Sequence, residues 1–580
     1  MSGIINIILK KNIADGFNGS LTLGLEHSKN SRPGGSSDFN YRTGIVNLFG
    51  IYNLDFGKYA TISNLRRTDK ELNQDFNYLD NTTTHYLKAG ADIYINPANT
   101  LSFYTTQSFS RTDFTIETLV YENQNLILQS PNKSIYKPKE EVYNVDYTID
   151  LNEKGRNIEF EINYSKSTNP QQDSINELIN PLSTINNYRN EITNNNSTLL
   201  TNIDYTHPIE SGILEIGLET RVQKAFNKID TNQEVETNGN PPIRPKGNTS
   251  FNYDRNTYSG YINFNKEYEK IAIQMGIRFE QFNVNGIFRN TELTNDELYT
   301  DAIFSIYPSY FLTYTPSDKH HFQIGYSRRV DRPSIYQVTP IQEWVSPLTI
   351  SVGNRLLVPQ FTSSFELNYT KNLSKGYLTF GAFYRNTSNS IGRIVNRSTV
   401  NEDVQTISYT NYDTADSYGT EFSAKYKLNK WWTATTSTSL YIQDSEGIIN
   451  NETEKVKNTL FKIQLNNSFK ISKKLRFQLS GSYRGRSENV QFKIDPYYMI
   501  NASARLSILN GNGSLNLRGT DVFNTYKLDF TTTNPFPQNG FYLLEIDAIY
   551  IGFNYNFGSG KNKERDRKYR DSNETSGSIL

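Results

Sequence analysis

The chain has 580 residues, with 60 Lys and Arg against 60 Asp and Glu, so its formal net charge is zero. That balance gives no basic footprint for nucleic acid, and the absence of cysteine rules out a disulfide framework and a thiolate metal site. No run approaches the roughly 18–20 apolar residues of a spanning helix; the densest cluster, Ile4 to Leu9, is interrupted by Asn6.

A mean hydropathy of −0.63 reads as soluble, but a membrane barrel hides from hydropathy because only every second residue faces lipid. The 40 tyrosines and 33 phenylalanines are what aromatic girdles at two interfaces require. Met1-Ser2-Gly3-Ile4-Ile5-Asn6 carries no charged n-region, no long apolar stretch and no cleavage site. A barrel needs a secretion signal to reach an outer membrane, so the natural beginning is expected upstream of Met1.

In chain order, residues 1–16 read as one short apolar strand, Gly3 to Lys10, and a turn at Asp15-Gly16. From Phe17 onward, strand follows strand. Ile158, Phe160, Ile162 and Tyr164 alternate with Asn157, Glu159, Glu161 and Asn163, the period of two that separates the faces of a strand. Leu378, Phe380, Ala382 and Tyr384 repeat the pattern, as do Phe477, Leu479, Gly481 and Tyr483. A charge on the lipid face costs about 2–4 kcal/mol at midplane for Arg or Lys and somewhat less for Asp or Glu, so Glu159, Glu161 and Arg484 are expected to face the lumen. Ile546 to Phe557 closes the series and is expected to pair with the first strand near Phe17 to Glu26, because an unpaired edge cannot sit in lipid.

Connections alternate in length. Tight turns are expected at 55–57, 96–99, 152–155, 208–212, 267–270, 315–318, 372–376, 428–430, 472–474 and 510–513. Longer polar stretches fall at 28–38, 70–83, 116–138, 168–196, 229–250, 287–298, 331–360, 389–404, 445–455, 487–495 and 528–541. The rhythm predicts an all-β, transmembrane antiparallel barrel of about 22 strands, each about 14–18 residues long, with short periplasmic turns and long extracellular loops. The expected division is a plug remnant and linker (1–16), an outer-membrane barrel (17–558) and a disordered periplasmic tail (559–580). Both termini are expected in the periplasm of a Gram-negative cell.

Several passages resemble the TonB-dependent receptor family, in particular its outer-membrane barrels of Bacteroidetes type. Gly3 to Asn12 resembles the last plug strand. Tyr326-Ser327-Arg328-Arg329-Val330-Asp331-Arg332-Pro333-Ser334 resembles the entry to a long mid-barrel loop. Gly353 to Thr362 is similar to the family's GNPxLxPExT segment, with Arg355 in place of proline and Gln360 in place of glutamate. Tyr418 to Phe422 resembles a recurrent strand start, and Leu517 to Thr525 the segment before the last hairpin. The resemblance implies a 22-stranded receptor in outer-membrane lipid that imports a small scarce nutrient. Its energy would come from TonB through an N-terminal plug, and a surface lipoprotein is a further implied partner. So wide a lumen is not filled by its own side chains, so without a plug an open pore or an unstable barrel is expected.

No HExxH, GxSxG or GxxxxGK[ST] pattern occurs, so no enzyme, catalytic residue, cofactor or metal site is expected. His320 and His321 are adjacent on a strand and point to opposite faces. Glu159 and Glu161 share a face, as glycosidase carboxylates might be arranged, but a polar lumen wall produces such pairs routinely. Trp431-Trp432, just past a short turn, reads as an interfacial anchor in preference to a stacking platform. The ligand-contact candidates are Tyr336, Gln337, Gln342, Glu343 and Trp344, in a loop stiffened by Pro333, Pro340, Pro347 and Pro359. An exposed Trp beside amides and a carboxylate suits a sugar or peptide-like ligand; Trp344 packed on neighbouring loops is the favoured competitor. Alternative functions are a plug-less passive pore or surface structural barrel, and a soluble β-rich glycan-binding protein. The cargo stays open among iron chelate, vitamin, glycan and peptide.

Overall fold

The computed structural model describes residues 15–179, 183–236, 248–291, 295–398, 401, 403–449, 452–558, 570 and 573–575. The expected strand Gly3 to Lys10 lies outside them. Antiparallel strands form one closed barrel of 22 staves. The first half runs Gly16–His27, Ser31–Thr43, Val46–Arg67, Leu72–Asn96, Asn99–Glu122, the broken stave Asn125–Tyr136 with Lys139–Asp150, Asn157–Ile179, Ser183–Ile209, Gly212–Glu236, Thr249–Glu267 and Ile271–Asn290. The second runs Glu297–Ser317, His320–Asp331, Gln360–Leu373, Gly376–Arg397, Gln405–Lys427, Trp432–Ile449, Glu452–Lys470, Leu475–Arg484, Tyr497–Ile508, Gly513–Thr520 and Ala548–Gly558.

The barrel closes where the sequence parity requires it. Leu21 lies opposite Tyr555, Leu23 opposite Phe553 and Leu25 opposite Ile551. Leu23, Ile549 and Ile551 are 54%, 59% and 59% exposed on the outer surface. Inside, Asn47, Ser102, Asn144 and Asn202 are almost wholly buried. Polar groups inward and a continuous apolar outer band invert the soluble arrangement. Exposed apolar area on this scale is untenable in water and is the rule for a barrel in lipid.

The wall divides into two tiers near its seam. Below, Gly34 to Thr43 pairs with Val46 to Asp55. Above, Thr61 to Arg67 of the same stave pairs instead with Gln538 to Leu544. That segment passes the sheet to Leu528–Thr532, then Phe492–Ile494 and Ser487–Glu488. These short strands build a collar over the ends of the shorter staves. A similar fork follows Asn99–Glu122, whose partner stave breaks at Lys137-Pro138, where proline has no N–H for the ladder.

Two expectations are revised. The turn expected at Asp55-Phe56-Gly57 is mid-strand; the chain turns at Gly44, whose φ of +54° suits glycine. Stretches 28–38, 70–83, 116–138 and 168–179 are largely strand, not loop. Above the bilayer neither face needs to be apolar, so Asn, Ser and Thr fill strands there with a composition that mimics loops. Staves accordingly run from 8 residues, Gly513–Thr520, to 27, Ser183–Ile209.

Candidate functional site

The 331–360 loop folds inward over the mouth at the long-loop rim. It opens with one helical turn, Ile335–Val338, where the Gln337 side chain accepts a hydrogen bond from the Ser334 N–H (2.8 Å). A hairpin follows, Gln342–Ser346 with Thr349–Val352, and Thr349 to Ser351 pairs parallel with Gln405 to Ile407. The hairpin tip reaches across the lumen: Ser346 Oγ donates to Gln74 Oε1 (3.3 Å) and Trp344 Nε1 to Glu177 Oε1 (3.4 Å). The return segment is held at Gly353, where a Cβ would meet the carbonyl oxygens of Thr339 and Gln337 at 2.5 and 2.7 Å. Next to it, Asn354 donates from its N–H to Gln337 O (2.6 Å) and from Nδ2 to Tyr409 O (3.0 Å).

Val338, Ile341 and Leu357 of this loop are buried against Ile229, Phe251, Tyr253, Phe282, Val284 and Phe288 of the wall. Sequence reading missed this apolar inner surface by treating every inward position as polar. The signal is present in Thr249–Glu267. Phe251 and Tyr253 share the parity of Arg255, Thr257 and Ser259, and all five are buried. The inward face changes from apolar at the mouth to polar below. Beside the hairpin lies an apolar cavity lined by Phe76, Tyr78, Ile407, Phe492, Phe530 and Tyr542, with Arg393 as its charged member.

Below the loop, the inner wall carries a charge network. Arg278 bridges Glu219 (3.2 Å) and Glu280 (3.3 Å), and Arg332 pairs with Glu280. Residues 559–580 are expected to be a disordered periplasmic tail; 559–569, 571–572 and 576–580 lie outside the described residues. Of this stretch the described residues are Arg570 and Asn573 to Thr575, which bond to the inner wall and to the loop. Arg570 Nε donates to Glu161 Oε2 (3.0 Å) and Nη2 to Asp204 Oδ2 (2.6 Å), with Nη1 3.9 Å from Glu219. Burial alone would lower the Arg570 pKa, but hydrogen bonds and charge from Asp204 and Glu161 raise it. Opposite charge in a poorly solvated lumen strengthens the pairing of Arg570 with these carboxylates.

A profile of the outer membrane protein beta-barrel family matches residues 149–555. The chain belongs to this family. Among solved structures, this outer membrane barrel is similar to the siderophore receptor PiuA from Acinetobacter baumannii, with a TM-score of 0.63 and 13% identity over 95% of this chain and 82% of that one. For the ferric-catecholate import receptor Fiu from K12 E. coli the TM-score is 0.61, with 11% identity over 94% and 82%. For the siderophore receptor PirA from Pseudomonas aeruginosa it is 0.59, with 12% identity over 94% and 81%. No curated protein sequence matches at a significant level. The shared fold is the closed 22-stranded antiparallel outer-membrane barrel.

In this outer membrane barrel the ligand-contact candidates divide. Tyr336 is 49% exposed, whereas Gln337 is buried and serves the helical turn. Gln342 pairs with Val352 in the hairpin. Burial, and then the nearby Asp173 carboxylate, push the Glu343 carboxyl up. Trp344 Nε1 donates to Glu177 Oε1 on the stave Asn157–Ile179. Glu161 accepts from Asn144 Nδ2 (2.9 Å) as well as from Arg570. Glu159 sits two residues before it on the same stave and is partly buried. Arg484 Nη2 donates to Ser487 Oγ (3.2 Å), while its neighbour Tyr483 is exposed outside. Trp431 and Trp432 stack at 6.1 Å and both stack on Phe469, and Trp432 Nε1 donates to Asn467 Oδ1 (3.0 Å). His320 lies 2.9 Å from Tyr369 Oη, while His321 lies 3.0 Å from Asn372 Nδ2. Among the described residues no three His, Asp or Glu side chains gather as metal ligands.

Proposed function

We propose that the chain forms the barrel of a receptor that imports a small, scarce nutrient across the outer membrane, driven by TonB through an N-terminal plug. Long loops face outside and both barrel ends face the periplasm. The observation that carries this reading is the inward 331–360 loop. It spans from the staves at Asp331 and Gln360 to Gln74 and Glu177 on the other side of the mouth. A loop buried across the entrance narrows the opening left for free diffusion. A receptor gains a recognition surface, here the exposed Tyr336 and the apolar cavity with Arg393 that Val345 and Ser346 of the loop help to line. Aromatic faces beside amides and charges suit ligands that are part apolar and part polar: iron chelates, sugars and peptides. The likeness to siderophore receptors supports placing iron chelates first among probes.

Two measurements on the purified, refolded chain test the reading. Trp344 emission, with Trp431 and Trp432 replaced by Phe, is titrated with ferric chelates, oligosaccharides and short peptides; one class is expected to saturate it. Single-channel conductance is expected to be small, and to rise when residues 335–357 are replaced by a short Gly-Ser linker. A large ungated conductance in the unmodified chain would show that the loop leaves the mouth open; no saturable change with any of the three ligand classes would overturn the receptor reading.

A further inference from the structure

We propose that Arg111, Lys133, Lys137, Lys139 and Lys166 form a site on the outer face of the wall for the phosphates of an outer-leaflet glycolipid. The five come from neighbouring staves: Asn99–Glu122, the broken stave, and Asn157–Ile179. Parity puts them outside. Phe109, Tyr143 and Tyr164 are exposed on the outer surface, and Arg111, Lys139 and Lys166 continue the same faces. Lys133 points away from the lumen, next to the buried Asn132, and Lys137 is exposed at the break in its stave. Register brings the group together. Lys139 lies opposite Phe109 and Thr168, Lys166 opposite Glu141, and Lys133 opposite Thr115. The patch is therefore about two inter-strand spacings, or roughly 10 Å, across.

Two carboxylates lie among these cations, and each is already paired. Asp113 accepts from Arg111 Nε and Nη2, both at 3.0 Å, and Glu141 pairs with Lys139 (2.9 Å). Lys133, Lys137 and Lys166 are exposed and form no ion pair among the described residues; Lys133 and Lys137 reach Asp113 only as distant charges, as Lys166 does Glu141. The next acid up the outer face, Glu117, accepts from Gln129 Nε2 (2.8 Å). Height then selects the partner. Tyr143 lies seven residues from the stave end at Asp150, Tyr164 seven from Asn157, and Phe109 ten from Asn99. A tilted strand crosses the hydrocarbon in about 9–11 residues, so the three rings mark its upper edge and the cations stand in the head-group layer. Lys139 Nζ lies 5.5 Å from the Phe109 ring centroid, its stem on the apolar band and its charge above it. A soluble anion would use only the charged half of this surface. A lipid uses both halves, with acyl chains against Phe103, Val145 and Ile162. Ammonium groups bind phosphate as point charges, and three unmatched ones call for a head group with more than one negative charge. Assignment to the outer leaflet rests on the orientation proposed above; the chemistry of the patch does not.

The test measures lipid retention in detergent, so neither cargo nor TonB enters it. The refolded chain is incubated with bis-phosphorylated lipid A and washed, and bound lipid is counted by native mass spectrometry. At least one lipid A is expected to stay bound. Lys133→Gln with Lys137→Gln and Lys166→Gln should lower retention by about tenfold or more. Lys455→Gln with Lys457→Gln, on the outer face of Glu452–Lys470 across the ring, should leave it unchanged. Dephosphorylated lipid A should be held no better by the native chain than by the triple variant, and excess inorganic pyrophosphate should not displace lipid A. Heat-modifiable gel mobility shows that each variant is folded. Equal retention by the native chain and the triple variant, or release by pyrophosphate as from a site for soluble anions, would overturn the proposal.

Discussion

Gly353 shows how a single residue can set the position of a loop. Its missing Cβ lets the return segment pass against the carbonyls of Thr339 and Gln337, and Asn354 then ties that segment to Tyr409. Gly353→Ala is expected to displace the loop at a cost of about 1–3 kcal/mol, the usual range for overpacking. Faster proteolytic cleavage between 335 and 357, with barrel mobility on gels unchanged, would report it. Glu343 makes the same loop sensitive to pH. Burial and Asp173 raise its pKa, so the docked loop holds the proton more tightly than the free loop does. Docking is therefore strongest below the ordinary carboxylate pKa and weakens as pH rises through the raised one. Trp344 emission should shift to the red over that rise, and Glu343→Gln should remove the dependence. At this scale the sequence was partly legible. The resemblance to a known segment singled out Gly353 and Asn354, but nothing marked Gln337 as a backbone partner. An amide looks alike whether it faces a ligand or closes a helical turn.

Single elements were most legible where lipid imposes one apolar face. The closing strand and nine of the ten tight turns lie where alternation and turn residues put them, within a few positions. Above the bilayer that constraint lapses. Polar strands were then read as loops, and Phe251, Tyr253 and Phe282 went unrecognised as a packing surface for the mouth loop. Leu357→Ala, which empties part of that contact, is expected to weaken loop docking by about 2–5 kcal/mol, enough to open the mouth and raise single-channel conductance. At the opposite rim, Trp431, Trp432 and Phe469 form an aromatic stack that we propose as an interfacial anchor. Trp431→Ala with Trp432→Ala should lower the yield of folding into lipid vesicles without abolishing folding in detergent, where no fixed interface has to be matched.

On the scale of the whole molecule, apolar residues outside and polar residues inside are what make closure obligatory. Leu23→Arg places a charge on the outer band and should cost about 2–4 kcal/mol if it lies near the midplane, read as a lower urea midpoint for folding into vesicles. Thr22→Arg, one residue along and facing inward beside Asn554, should cost much less; equal losses would contradict the assigned faces. Strand number and closure were legible because membrane barrels allow few solutions. The hydrogen bond of Arg570 to Glu161 was not, because it joins residues 409 positions apart in sequence and leaves no periodic trace.

The forked seam has a consequence for accuracy of assembly. The chain's last strands meet its first at two heights: 549–558 against Asn18 to His27, and 538–544 against Thr61 to Arg67. A single seam of alternating residues could slip by two positions and still present the right faces. Here such a slip at the lower joint would also have to be accommodated at the upper one, across the short link of residues 545–547. The two joints act as a vernier, each checking the alignment of the other, so the ring can lock only when both agree.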